Sequence, residues 1–136
     1  MGLDMYLFGA IYEFDEETHT SKITLEEVAY WRKQNAIHNW MVENVQRGVD
    51  NCASYDFDKS CLKSLLAKCK EVLKNPTAKN AMEILPTKDG FFFGGTDLSE
   101  DYELEYYLDG LKYTVEVIEE LLKEDKYRYY CYQSSW

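Results

Sequence analysis

The sequence is short of basic residues, of long apolar runs and of paired cysteines. Its 136 residues carry 15 Lys and Arg against 25 Asp and Glu, giving a formal net charge of -10. This balance opposes direct binding to nucleic acid, because phosphate contacts need clustered cations. No run of 18 apolar residues occurs, so no membrane-spanning segment is predicted. The four cysteines form no CxxC pair and have no histidine at metal-ligand spacing, so no zinc or other cofactor is expected.

Signals for export and for the common catalytic loops are also missing. The first residues, MGLDMYLFGAIY, lack the positive start and small-residue cleavage site of a signal peptide. We therefore expect a cytoplasmic protein with reduced thiols. No phosphate-binding loop, HExxH motif or nucleophile elbow is present, which does not favour an enzyme.

The residues that are present predict one α+β domain over residues 1–136. Hydrophobic residues make up 46% and charged residues 29% of the chain, an ordinary balance for a globular protein. The pattern predicts a small antiparallel sheet, made of the N- and C-terminal strands plus a hairpin, packed with three main helices.

Strand patterns occur at both ends of the chain. Over residues 2–14, Leu3, Met5, Leu7 and Ile11 alternate with polar and aromatic residues, and Gly9 indicates a bulge or a close backbone approach. Residues 126–136 have strand composition and are the natural partner of the first strand. Residues 89–90, Asp-Gly, predict a hairpin or tight loop before the three phenylalanines 91–93.

Helix signals predict three long helices and one short one. Thr24 and Glu27 form a capping box for a helix that runs to about Arg47. Asp58 caps a helix over residues 59–74, and a short helix follows over 78–83. The inner stripe of the first of these is predicted at Leu62, Leu65, Leu66, Cys69, Val72 and Leu73. Ser99 caps the last helix, which runs to about residue 124 with an aliphatic seam at Leu104, Leu108, Leu111, Val115, Ile118 and Leu122.

Arg32 is the most informative residue of the first predicted helix. At 100 degrees per residue it falls within the apolar stripe, and a buried guanidinium needs an anionic partner. One interpretation is an internal ion pair with Asp4 or Asp50. The alternative is an anion clamp formed with the adjacent Lys33.

The same helix also carries the ingredients of a polar pocket. Trp31, Asn35 and His38 lie along one side of it, and the Asp50, Asn51 and Cys52 segment follows it. With Arg32, these residues are the candidate ligand-binding set, for which a phosphorylated or nucleotide-like small molecule is the hypothesis. Cys52 and His38 also suit a nucleophile and its base, provided that they meet within hydrogen-bond reach.

Two surface features have alternative interpretations. The three phenylalanines and two glycines of GFFFGG indicate either core filling or a site where a flat ring stacks. The outer face of the last helix is acidic, and Glu116, Glu119 and Glu120 are candidates for binding a basic protein partner. A solvated face without a partner is the alternative.

Four segments together resemble a family of small uncharacterised proteins from bacteriophages and prophages. They are MGLDMYL at 1–7, EVAYWRKQNAIHNW at 27–40, GVDNC at 48–52 and LPTKDGFFFG at 85–94. The resemblance carries no activity and no functional residues. It implies a protein in the host cytoplasm that modulates a host component.

The resulting hypothesis is a non-enzymatic accessory protein that binds a host component, either a defence protein or a nucleotide-like ligand. One alternative is a small enzyme that uses Cys52 and His38 or acts on a phosphorylated small molecule. A structural protein that assembles into a homo-oligomer is the other.

Overall fold

Four antiparallel strands and four helices form an α+β fold, as the sequence predicts. The computed structural model describes residues 2–136, so Met1 of the first resemblance segment lies outside them. In chain order the elements are β1 (Asp4–Asp15), β2 (Thr20–Arg32), α1 (Asn35–Asn44), β3 (Tyr55–Phe57), α2 (Lys59–Lys74), α3 (Ala78–Ile84), α4 (Asp101–Glu124) and β4 (Tyr129–Ser135). The strands lie in the order β2-β1-β4-β3. Across residues 2–136, no helix has the length and apolar character needed to cross a membrane.

The predicted helix from Thr24 to Arg47 is wrong in its first half. Residues 20–32 form β2, which pairs with β1 from Asp4↔Arg32 to Asp15↔Thr20. The helix begins only at Asn35, and its N-cap residue, Gln34, makes no side-chain capping bond. A register shift between Leu7 and Phe8 interrupts the twofold alternation of β2, which is why its apolar spacing resembles that of a helix.

The remaining boundaries follow local signals more closely. Asp58 caps α2 by accepting a hydrogen bond from the Ser60 amide at 2.9 Å, as predicted. Ser99 does not cap α4: its hydroxyl donates to Asp97, and Glu100 is the N-cap residue. The predicted pairing of the two terminal strands is confirmed, since β4 lies antiparallel to β1. The hairpin predicted at residues 89–90 contributes no strand to the sheet. The turn lies instead at residues 91–93, and mutual backbone hydrogen bonds between Gly90 and Gly94 close it.

The hydrophobic core joins one face of the sheet to the helices. Strand residues Met5, Leu7, Trp31, Tyr130 and Tyr132 are all buried, as is Leu3 just before β1. The predicted inner stripe of α2 is confirmed at Leu62, Leu65, Cys69 and Val72. The buried row of α4 is Tyr107, Gly110, Leu111, Thr114, Ile118 and Leu121. Two residues of the predicted seam, Leu111 and Ile118, belong to this row. The other four, Leu104, Leu108, Val115 and Leu122, are partly buried and pack against the core.

Helix α1 lies inside the molecule rather than on its surface. Every residue from 35 to 42 is buried, including the polar residues Asn35, His38 and Asn39. Buried polar side chains need hydrogen-bond partners, so the position of α1 determines where the polar chemistry of this fold is found.

Gly9 provides the close backbone approach that its place in β1 predicts. A Cβ atom at this position would lie 2.4 Å from the ring of Tyr127. No real carbon atoms pack that closely, so the aromatic ring requires a glycine beneath it.

We predict that Gly9→Ala lowers the free energy of unfolding by about 1–3 kcal/mol, the usual cost of overpacking. Urea denaturation measures the change. In a Tyr127→Leu background the same substitution should cost less, because the ring that it meets is gone. An equal cost in both backgrounds would show that the strain arises elsewhere.

Candidate functional site

Arg32 lies at the surface, not in the core. Its side chain is 55% exposed, because strand alternation places it on the opposite face of the sheet from the buried Trp31. The predicted ion pair with Asp4 is confirmed, with 2.7 Å between Arg32 Nη1 and Asp4 Oδ1. The Tyr30 hydroxyl also donates to Asp4, and together these two donors lower the pKa of the Asp4 carboxyl. The inference of a buried guanidinium is therefore wrong, although its predicted partner is right.

Three other members of the predicted ligand-binding set have structural partners elsewhere. Trp31 Nε1 donates to Thr114 Oγ1 at 2.8 Å inside the core. Asn51 Oδ1 accepts the Tyr55 hydroxyl at 2.9 Å, and the Cys52 carbonyl accepts from Gln133. These residues do not line the cleft that the rest of the set forms.

His38 is the centre of a hydrogen-bond chain that runs from the buried Tyr132 to the exposed Asp50. Its Nδ1 lies 2.7 Å from the Tyr132 hydroxyl, and its Nε2 lies 3.0 Å from Asp50 Oδ1. The indole of Trp136 donates to the same Asp50 oxygen at 2.9 Å. Because an ionised carboxylate only accepts, we assign the imidazole proton to Nε2, which leaves Nδ1 to accept from Tyr132.

Burial keeps the His38 ring and the Tyr132 phenol, at the centre of these hydrogen bonds, uncharged. Only 2% of the His38 side chain is exposed, and the loss of solvation lowers its pKa, an effect that Asp50 partly opposes. Burial also raises the pKa of Tyr132 well above its ordinary value, so the phenol keeps its proton. Both ring nitrogens of His38 are thus engaged, and the nucleophile–base pair suggested for Cys52 and His38 is not formed.

A small cleft lies beside this hydrogen-bond chain, and we call it the α1 cleft. Its volume is about 80 Å³. It is lined by Asn35, His38, Asn39 and Val42 of α1, by Gly48 and Asp50 of the following loop, and by Lys88, Asp89 and Phe93 of the segment before α4. The structure thus brings together three of the predicted residues, Asn35, His38 and Asp50.

Two asparagines of the α1 cleft have unusual hydrogen bonding. Asn35 Nδ2 donates to the carbonyls of Lys88 and Gly94, at 3.3 and 3.1 Å. These bonds hold the loop of residues 88–94, which we call the phenylalanine loop, against α1. The amide oxygens of Asn35 and Asn39 have no partner among residues 2–136, although the two residues are only 2% and 8% exposed. Sequence analysis missed Asn39, yet its position one turn after Asn35 was a usable signal.

The three phenylalanines lie in different environments, because three consecutive side chains cannot all face the same way. Phe93 is buried and meets the His38 ring edge-on, with 5.4 Å between centroids. Phe92 stacks on Trp136 at 5.0 Å, whereas Phe91 is 95% exposed. Core filling therefore accounts for Phe93, and Phe92 covers the C-terminal tryptophan.

A second concave surface, which we call the acidic groove, lies between α4 and β2. It is shallow, with a volume of about 350 Å³, and is lined by Val28, Glu116, Val117, Glu120, Leu121, Glu124 and Tyr127. The three glutamates are spaced four residues apart and so follow one line along α4. Glu119 does not join them, because it pairs with Lys70 of α2 at 3.4 Å.

The groove lies next to the free edge of the sheet. Strand β2 is an edge strand, and side chains of α4 cover its edge at Tyr30 and Arg32. There the Tyr30 amide donates to the Tyr113 hydroxyl at 3.3 Å, and the Tyr106 hydroxyl donates to the Arg32 carbonyl.

Comparisons with known proteins found no matching family model and no significant match among the curated proteins or the solved structures. Within residues 2–136, no group of three or more His, Cys, Asp or Glu side chains is arranged to hold a metal ion.

We predict that His38 makes the folded state sensitive to mild acid. Since its pKa is lower in the folded than in the unfolded chain, protons bind the unfolded state more readily. The stability that neutral His38 contributes is present above about pH 6.5 and is lost as the pH falls below that value. The free energy of unfolding, measured by urea denaturation, should therefore fall between pH 7.5 and 5.

Between pH 7.5 and 5, His38→Gln should make the free energy of unfolding less dependent on pH. The matched variant His19→Gln, at an exposed hairpin position, should retain the pH dependence of the wild type. An NMR titration that placed the pKa of His38 above 6.5 would contradict the assignment.

Proposed function

We propose that this chain is a non-enzymatic binding protein whose acidic groove holds a basic segment of a partner protein. The observation that supports this best is the alignment of Glu116, Glu120 and Glu124 along an apolar floor. The floor is formed by Val28, Val117 and Leu121. A segment that alternates cationic and apolar side chains would complement both features.

Both the net charge of the whole molecule and the local charge of the groove favour a basic partner. The net charge of -10 attracts basic proteins and speeds their association. Within the groove, the apolar floor excludes water from part of the contact, which strengthens the attraction between glutamates and incoming cations.

The free edge of β2 adds backbone recognition. An extended peptide can pair with an exposed edge strand and place alternate side chains on one face. With β2 on one side and the glutamates of α4 on the other, the peptide would lie along the groove. This arrangement favours an extended basic segment.

The phage-like resemblance supports a partner from the host. Small phage proteins often modulate the host, so we propose that a host protein, for example a defence protein, supplies the basic segment. A nucleotide-like ligand has less support, because the α1 cleft of about 80 Å³ is well below the roughly 300–1,000 Å³ of drug-sized ligand sites. An enzyme using Cys52 and His38 lacks the required contact.

We predict that a labelled decapeptide of alternating lysine and valine binds the protein, measured by fluorescence anisotropy at low salt. The triple variant Glu116→Lys, Glu120→Lys, Glu124→Lys should weaken binding tenfold or more, because each reversal replaces attraction by repulsion. A decapeptide of alternating glutamate and valine should not bind.

The matched control is Glu71→Lys, Glu105→Lys, Asp109→Lys, which changes the net charge equally at exposed positions outside the groove. It should lose much less affinity. Circular dichroism verifies that both variants are folded. Equal losses in the two variants would mean that net charge alone attracts the peptide, and the groove would then not be the binding site.

A further inference from the structure

The α1 cleft has more hydrogen-bond acceptors than the protein itself uses. Asn35 Oδ1 and Asn39 Oδ1 are buried without partners, and the carboxylates of Asp50 and Asp89 line the same space. Two of the buried donors are already committed, since the Nε2 proton of His38 goes to Asp50 and Asn35 Nδ2 goes to two carbonyls. Apart from the Asn39 amide nitrogen and the Lys88 ammonium, the lining therefore presents acceptors to whatever enters the cleft.

The orientation of the Asn35 amide is fixed by its neighbours. The carbonyls of Lys88 and Gly94 can only accept, so both must face the amide nitrogen of Asn35. Its oxygen is then directed away from them without a donor. The amide oxygen of Asn39 also has no partner within residues 2–136, and buried polar groups in folded proteins nearly always have partners.

The charge of the lining and the volume of the cleft limit which ligands fit. The lining contains two carboxylates and one ammonium, from Asp50, Asp89 and Lys88. Phosphate would meet acceptors and negative charge, which repel it. At about 80 Å³ the space suits a group of a few heavy atoms. The ring of Phe93 adds an aromatic wall, which cations favour.

We propose that the α1 cleft binds a small organic cation that carries several N–H donors, namely a guanidinium or primary ammonium group. Its donors would satisfy the amide oxygens of Asn35 and Asn39, and its charge would be balanced by Asp50 and Asp89. The site shares no residue with the acidic groove, so the outcome of an experiment on one site does not decide the other.

The experiment is a titration of ¹⁵N-labelled protein at pH 7 and constant ionic strength, followed by NMR. Methylguanidinium or methylammonium should produce saturable shifts at the side-chain amides of Asn35 and Asn39. Tetramethylammonium, a cation without N–H donors, and inorganic phosphate should not. The absence of saturation with both N–H donors, or equal shifts with tetramethylammonium, would overturn the proposal.

Substitutions in the lining test whether the cation binds in the α1 cleft. Asn39→Leu should weaken binding tenfold or more, and Asp89→Asn, at an exposed position where folding is not at risk, should weaken it severalfold. The matched control Asn44→Leu removes an exposed asparagine of the same helix and should bind as the wild type does. Wild-type affinity in both Asn39→Leu and Asp89→Asn would overturn the assignment.

The cation has two natural sources, a free small molecule or an arginine side chain of a partner. A blocked arginine amide, N-acetyl-arginine-N-methylamide, distinguishes them. Tighter binding of this compound than of methylguanidinium supports the side chain of a peptide. Weaker binding supports a free cation, because the peptide groups then do not fit.

Discussion

The rest of the structure depends on the two hydrogen bonds of the His38 imidazole. One joins the buried helix α1 to Tyr132 of β4, and the other joins it to Asp50 in the loop that follows α1. Asp50 in turn holds Trp136, on which Phe92 stacks. A buried imidazole with an unsatisfied nitrogen is costly, so these bonds tie helix, terminal strand and phenylalanine loop to one arrangement.

The same bonds leave His38 unavailable as a base for Cys52. With Tyr132 on one nitrogen and Asp50 on the other, His38 has no free nitrogen for a nucleophile or substrate. The concave surfaces to which we assign ligands are a small cleft on one side of α1 and a glutamate-lined groove between α4 and β2. The ligands that we propose for them are both cationic, a small group for the cleft and an extended segment for the groove.

Strong local signals predicted much of the fold, and contacts distant in sequence account for the errors. The Asp58 cap, the stripe of α2 and the terminal strands could be recognised from a few neighbouring residues. Strand β2 was mistaken for a helix because its bulge disturbs the alternation, and the burial inferred for Arg32 followed from that error. In the cleft, Asn35, His38 and Asp50 were grouped correctly, whereas Phe93 arrives from a loop more than 50 residues away.

The most direct test of this account is the protonation state of His38. Long-range ¹H–¹⁵N NMR correlations at pH 7 distinguish the two neutral tautomers from the imidazolium by their nitrogen chemical shifts. We expect a neutral ring with the proton on Nε2 and an unprotonated Nδ1 that accepts from Tyr132. A cationic ring, or a proton on Nδ1, would contradict the hydrogen-bond chain on which the account rests.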